Sequence, residues 1–340
     1  MPKIAVVGPN FFSYMHAIRD EFRSLGFESE YFDERHSNSI PAKISYRLNI
    51  SLLIKRKRQE HLKKLLKNVV NGGFTDLLLI DVEVVDKAFI QSLKAHGIRV
   101  HIYMWDSAKN KSGFTNYLSE VSGKGTFDLN DSKQFAMKYI PLFATDNYSQ
   151  NKNPTLTRDI DISFCGTLHS DRAYHLHRLK KAAEKEGLNL VLMNFFHSKI
   201  LLAIKCFRNF SNAYFLKTVS TDGFSKERVA ESMFRSKFVF DMQHAGQGGL
   251  TARTFEALRS GTCLITFNEN IYSLPETFHN RIFLIKDAND IESLTFSDYE
   301  NVGLLSESQD HYLSLSRFVD ELLLIMGYSS KQECEPEKCV

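Results

Sequence analysis

Between Gln247 and Glu256 the sequence sets Gly248, Gly249, Leu250, Thr251, Arg253 and Glu256 within a short loop and the two helical turns that follow it. A glycine loop that opens a helix presents backbone N–H groups and the positive end of the helix dipole, a combination suited to a phosphate. Arg253, in the first turn, adds a forked donor for the same anion. Glu256 lies one turn further along that face and could accept hydrogen bonds from ribose hydroxyls, as the acidic residue of dinucleotide folds does. Phosphate donors so close to a ribose acceptor describe a nucleotide diphosphate site. The other reading is an ordinary αβ unit with a glycine turn and a solvated Arg and Glu.

These residues need a strand in front and a helix behind. The β-rich run Lys237–Met242 supplies the strand, and Thr251 is a good N-cap for a helix over Ala252–Ser260 that Gly261 ends. Cys263–Phe267 then reads as a buried strand. The plan recurs upstream, where a strand over Ile162–Gly166 is followed by Gly166-Thr-Leu-His-Ser-Asp-Arg172. Arg172 there either points to an anion or is solvated, with Ser170 or Asp171 capping the helix.

The first half has the same alternation. Lys3–Gly8 is a strand, Phe11–Leu25 a helix stopped at Gly26, and Ser29–Asp33 a second strand. One glycine in that first turn is not a G-x-G-x-x-G fingerprint, so NAD binding is not expected. Asn10 and His16 could face a ligand from this loop, although His16 also suits a helix surface. The strands Asp76–Asp81 and Ile98–Trp105 end in Asp81 and in Asp106, and ligands of open α/β sheets gather beyond such ends. A carboxylate there could deprotonate an acceptor hydroxyl or simply cap the next turn. Asp159-Ile-Asp161 matches a metal-binding D-x-D only formally, because it precedes a strand, and no metal site is assigned.

The run Arg253-Thr-Phe-Glu256-Ala-Leu-Arg-Ser-Gly261-Thr-Cys-Leu-Ile265 resembles the donor-binding signature of GT-B glycosyltransferases. More narrowly, Asp241-x-x-His244-x-x-Gln247-x-Gly249-Leu-Thr-x-Arg253 and Tyr103-Met-Trp-Asp-Ser107 are similar to a bacterial family of capsule, exopolysaccharide and lipopolysaccharide synthesis related to CgeB-like transferases. The resemblance implies an α/β fold of two Rossmann-like domains with parallel sheets facing a central cleft. It implies a nucleotide-sugar donor held by Gly166, Arg172, Gln247, Gly248, Gly249, Leu250, Thr251, Arg253 and Glu256, and a glycan or lipid-linked acceptor near Asn10, His16 and Asp81. Asp106 and His244 are the candidate catalytic residues, and no cofactor or obligatory metal is implied. Many retaining members carry a second glutamate eight residues before the ribose one. Here that position is Gly248, so retention does not carry over. A sugar-nucleotide epimerase of the same architecture and a non-catalytic scaffold are the competing expectations.

The 340 residues suffice for two domains. The expected division is an acceptor domain over 1–148, a donor domain over 157–305, a helix over 306–327 returning to the first domain, and a disordered tail over 328–340. Apolar runs fall short of the ~20 residues of a membrane span, and Met1–Gly8 leads directly into a strand, so no leader is expected. Five cysteines, three of them in apolar segments, suggest reduced thiols and a cytoplasmic setting. Nine Lys or Arg against one Glu crowd residues 42–70. That local concentration argues against a nucleic-acid binder and makes 43–67 a candidate amphipathic contact with an anionic membrane surface. Ser198–Lys217 is a second such segment, or a helix packed on the sheet.

Overall fold

The computed structural model describes residues 2–10, 13–35, 52–152, 157–168, 172–196, 198–206, 215–243, 248–286, 290 and 302–329. Two compact units divide the chain. Unit 1 takes Met1–Pro141, Gly246–Gly249 and Leu315–Val340, and unit 2 takes Leu142–Ala245 and Leu250–Ser314.

Unit 1 is built on β1 (Lys3–Gly8), β2 (Glu28–Asp33), β3 (Asp76–Ile80), β4 (Arg99–Met104), β5 (Gly123–Thr126) and β6 (Lys138–Tyr139). They form one sheet in the order β2-β1-β3-β4-β5-β6, and every neighbouring pair is parallel. The run Asp-Leu-Leu-Leu-Ile of β3 is buried at all five positions, as expected of a parallel strand covered on both faces. Helix α1 (Tyr14–Ser24) buries Met15, Ile18 and Phe22.

Helix α2 (Leu52–Asn71) resolves the basic segment. Its Leu62, Leu65 and Val69 are buried in the unit 1 core, whereas Arg56, Lys57, Lys63, Lys64 and Lys67 are exposed. The expected amphipathic helix is present, but its described apolar stripe is already spent on the protein core. Among its described side chains, the basic face is what is left for another surface. Residues 43–51 of that candidate contact lie outside the described residues.

Helix α3 (Lys87–Ala95) starts at Asp86, whose side chain accepts from the Phe89 amide. Helix α4 (Leu129–Phe135) starts at Asp128, whose carboxylate accepts from the amides of Asn130 and Asp131.

Unit 2 contains β7 (Ile160–Thr167), α5 (Arg172–Lys185), β8 (Leu190–Phe195), α6 (Lys199–Cys206), α7 (Lys226–Phe234), β9 (Ser236–Asp241), α8 (Ala252–Arg259), β10 (Cys263–Thr266), β11 (Ile282–Leu284) and α9 (Glu307–Tyr312). Its five strands run in the order β11-β10-β9-β7-β8, again all parallel. In α6, Leu202 is buried on the core and Leu201 is 54% exposed. That is the packed helix rather than a wholly surface-seeking one.

The helix expected over 306–327 is two helices. α9 opens with a capping box between Ser306 and Gln309. The chain then breaks at Leu313–Ser314, where the Leu313 carbonyl accepts from the Ala144 amide at 2.8 Å. α10 (Leu315–Ile325) follows and belongs to unit 1. There it buries Phe318, Val319 and Leu322, with Phe318 edge-on to Tyr103. A β-carbon on Gly123 would stand 2.1 Å from the Ile325 carbonyl oxygen, so only glycine allows strand and helix to approach this closely.

Candidate functional site

In unit 2 the strand–loop–helix around β9 and α8 is fastened by Asp241. Its Oδ2 accepts from Thr251 Oγ1 at 2.6 Å and from Thr254 Oγ1 at 3.0 Å, and the Thr251 side chain also accepts from the Thr254 amide as the N-cap of α8. One buried carboxylate therefore fixes where the helix begins relative to the strand. In the sequence Asp241 stands out only as the first residue of the Asp241-x-x-His244 motif. Its sequence signal is a strand-ending Asp followed by threonines 10 and 13 positions later.

The first turn of α8 brings Arg253 and Glu256 together. Arg253 Nη1 lies 2.7 Å from Glu256 Oε2, and Glu256 is only 3% exposed. The Tyr148 hydroxyl hydrogen-bonds the same carboxylate, and burial, with Glu256 beside it, pushes the phenol well above its ordinary range. Burial disfavours the Lys226 cation while Glu256 favours it, with a net shift downward. The Cys165 thiol is raised by burial against the opposing pull of Arg253. Arg253 and Glu256 share a helix face as expected, but they are bound to each other, and Glu256 sits in a covered polar cluster. Sequence spacing alone gave no sign of Tyr148 or Lys226, which are 108 and 30 residues away.

The remaining donor-side candidates are placed differently from one another. Gly166 is required by packing: a β-carbon there would lie 2.9 Å from the Phe164 ring and 3.2 Å from Arg172 Nη1. Arg172 donates to the Thr167 carbonyl at 3.1 Å and to the Met242 carbonyl, joining the carboxyl ends of β7 and β9. Leu250 is buried. Gly248 and Gly249 fall in unit 1. An added β-carbon would meet the Asp128 carboxylate at 3.1 Å in the first case and the Phe127 ring at 2.2 Å in the second. The turn expected to present its amides openly is enclosed at Gly249, and the glycine there serves close approach. His244 and Gln247 lie outside the described residues.

Asp159 and Asp161 stand at the amino end of β7. Arg235 binds the Asp159 carboxylate through Nε at 2.8 Å and through Nη2, and Lys237 binds Asp161 at 2.8 Å. The formal D-x-D is a pair of strand-edge ion pairs. Among the described residues no group of three His, Cys, Asp or Glu could hold a metal ion.

In unit 1 the carboxyl ends of β2, β3 and β4 carry a charged network. Glu34, fully buried, accepts from the Glu83 amide at 2.8 Å and from the Val84 amide at 2.8 Å. Burial raises its carboxyl to about 7 in spite of those hydrogen bonds. Arg35 Nη2 meets Glu83 Oε2 at 2.9 Å. Lys111 Nζ donates to Asp81 Oδ2 and lies 3.5 Å from Glu83 Oε1. Burial raises Asp81 to about 6 against the pull of Lys111. Asp106 is half-buried and its Oδ1 accepts from the Ser107 amide and from Asn110 Nδ2, each at 2.9 Å, which is the capping role. Asn10 is exposed. His16 Nδ1 lies 3.1 Å from Arg19 Nη1, and its ring stands edge-on to Tyr31. Neither Glu34 nor Lys111 was a sequence candidate.

By sequence, no protein-family model and no curated protein matches the chain. By structure it is similar to the Anabaena protein HepE in complex with UDP (TM-score 0.60, 10% identity, 96% of this chain and 99% of that one). It is also similar to UDP-GlcNAc 2-epimerase from Neisseria meningitidis bound to UDP-GlcNAc (0.58, 8%, 96% and 99%). A third likeness is to the lipopolysaccharide outer core galactosyltransferase WaaB (0.55, 11%, 96% and 99%). The fold is GT-B. It is shared by glycosyltransferases and UDP-GlcNAc 2-epimerases.

Proposed function

We propose that the chain is a glycosyltransferase that moves a sugar from a nucleotide-sugar donor to a hydroxyl of a bacterial surface polysaccharide or lipid-linked glycan. The observation that carries this reading is the Arg253–Glu256 pair in the first turns of α8, on a fold whose solved examples bind UDP or UDP-GlcNAc. The guanidinium is suited to diphosphate oxygens and the carboxylate to ribose hydroxyls. The Tyr148 hydroxyl hydrogen-bonds Glu256, and the Glu256 charge favours the Lys226 cation. The likeness to WaaB supports a surface-glycan acceptor. The exposed basic face of α2 supports a peripheral contact with anionic lipid. No obligatory metal is part of this reading, as the GT-B resemblance implies.

Calorimetry with UDP, GDP, CMP and dTDP tests the donor site. Saturable binding of one nucleotide is expected, and silence towards all four would remove the reading. The second reading, a UDP-GlcNAc 2-epimerase, is favoured by the likeness to the Neisseria enzyme. An epimerase acts on donor alone, so proton NMR of UDP-GlcNAc with the protein and no acceptor separates the two.

A further inference from the structure

We infer that Tyr148 is a positioning residue: its hydroxyl holds the Glu256 carboxylate in the orientation that receives a ribose hydroxyl, and Arg259 holds the turn that carries Tyr148. The inference rests on the donor-site reading of α8, and it names the residues that make that site selective for a ribonucleotide.

Tyr148 closes a single turn over Asp146–Tyr148. It is 3% exposed, as is Glu256, and its hydroxyl hydrogen-bonds that carboxylate. A phenol suits this task. Only two torsions must be fixed to aim it, and as an uncharged donor it directs a carboxylate without neutralising it. Arg253 Nη1 approaches Oε2 of the same carboxylate at 2.7 Å. A carboxylate has about four acceptor positions on its two oxygens and can serve a ligand and protein donors together.

The turn is fixed on both sides of Tyr148. Arg259, one helical turn beyond Glu256 on α8, donates from Nη1 to the Ala144 carbonyl at 2.8 Å and pairs through Nη2 with Asp146 Oδ1 at 3.1 Å. Asp310 of α9 accepts from Arg259 Nε and Nη2, each at 3.1 Å, and from Ser149 Oγ at 3.1 Å. Gln150 Oε1 accepts from the Leu305 amide at 3.2 Å. The Gln150 side chain also lies against Gly261, where an added β-carbon would stand 2.5 Å from it. All of these residues belong to unit 2. Arg259 is itself buried, at 4% exposure. Desolvation offsets most of the attraction in a buried ion pair, so we take the network as fixing geometry rather than adding stability. The geometry it fixes ends at Glu256. One helix thus carries both the carboxylate and the clamp on the residue that orients it.

The ligand class follows from the acceptor. A site built to accept from a substrate hydroxyl rejects the analogue that lacks it, because the buried acceptor is left unpaired. A ribonucleotide should therefore be preferred to its 2′-deoxy form.

Full-length protein is titrated by calorimetry with UDP, 2′-deoxy-UDP, GDP, 2′-deoxy-GDP and inorganic pyrophosphate. One ribonucleotide should bind about tenfold or more tighter than its 2′-deoxy form, the ratio expected for a hydrogen bond to a charged group. Tyr148→Phe keeps the ring and removes the hydroxyl. It should shrink that ratio about threefold or more, the loss of one neutral hydrogen bond, and leave pyrophosphate binding unchanged, since pyrophosphate has no ribose. A purely structural role would weaken all ligands alike and leave the ratio where it was. If Tyr148→Phe does not fold, Asp310→Asn takes its place. It loosens the Arg259 clamp without touching Glu256 and should also shrink the ratio. A ratio unmoved by the variant, or no preference for ribose in the wild type, overturns the proposal and leaves the donor site standing. Failure of both ribonucleotides to bind removes the donor-site reading and this proposal together.

Discussion

At the residue scale, the buried ionisable groups divide into those that stabilise the fold and those that burden it. Asp76 is fully buried at the amino end of β3. It accepts from His101 Nε2 at 3.0 Å, Arg99 Nη2 at 3.0 Å and the Tyr328 hydroxyl at 2.7 Å. Burial alone would raise its carboxyl, but these bonds win and hold it at about 2. A lowered carboxyl stabilises above its unfolded pKa and loses that contribution as pH falls towards its folded value, here a window from about 4 down to 2. Asp76→Asn should cost roughly 2 kcal/mol at neutral pH and flatten the acid limb of the stability curve, as urea unfolding at pH 7, 4 and 3 would show. Glu34 has the opposite sign. Its carboxyl is raised to about 7, so its contribution is full below about 4.5 and is lost as pH rises through 7. Glu34→Gln keeps an acceptor for the Glu83 or Val84 amide and should gain stability relative to wild type between pH 6 and 8. A loss there would mean that ionised Glu34 is already compensated by Arg35. At Glu256, replacement by Ala should weaken nucleotide binding in calorimetry. It should also release Lys226 and Arg253 from their shared anion, so melting at several salt concentrations should accompany the titration.

At the element scale, α8 depends on its start. Thr251 both caps the helix and donates to Asp241. Thr251→Ala should therefore cost at least the ~1 kcal/mol of a lost N-cap, with a further penalty for the Asp241 oxygen left with Thr254 alone. Thr251→Ser should recover most of it, as paired unfolding curves would show. Gly249→Ala tests a different requirement. The added carbon meets the Phe127 ring at 2.2 Å, and overpacking of this kind costs about 1–3 kcal/mol. A variant as stable as the wild type would show that Phe127 moves aside freely. For α2, the exposed lysines and arginines lie opposite the stripe that packs on the sheet. Contact with anionic vesicles should therefore be electrostatic and fade with salt, whereas insertion of an apolar face would persist.

At the scale of the whole molecule, two parallel sheets of six and five strands accord with the strand–loop–helix alternation read along the chain. Apolar runs marked β1, β3, β4, β7 and β9 clearly, because a parallel strand buried on both faces leaves a continuous apolar signature. The break between α9 and α10 was not legible. It follows from a hydrogen bond between Leu313 and Ala144, residues far apart in sequence. That Arg253 and Glu256 share one face was legible because helical spacing brings residues three apart together, but that they bind each other was not. Tyr148 and Lys226 were not, since their approach is made by tertiary folding. Nor could the sequence show that Gly249 packs closely against the Phe127 ring. A nucleotide that binds the native state should raise the melting temperature in proportion to the logarithm of its concentration above Kd. That gives the folded chain a direct link to its proposed substrate.

Periodicity, caps and glycine stops are local properties, and the amino-acid sequence alone determined with them the class of fold, most element positions and the shared helix face of Arg253 and Glu256. Burial and long-range hydrogen bonding are collective properties, and only the tertiary structure decided that Glu256 is covered, that Arg172 joins strand ends and that Asp81 lies beside Lys111. The physical reason is that a side chain's charge state and partners depend on what the rest of the chain packs around it.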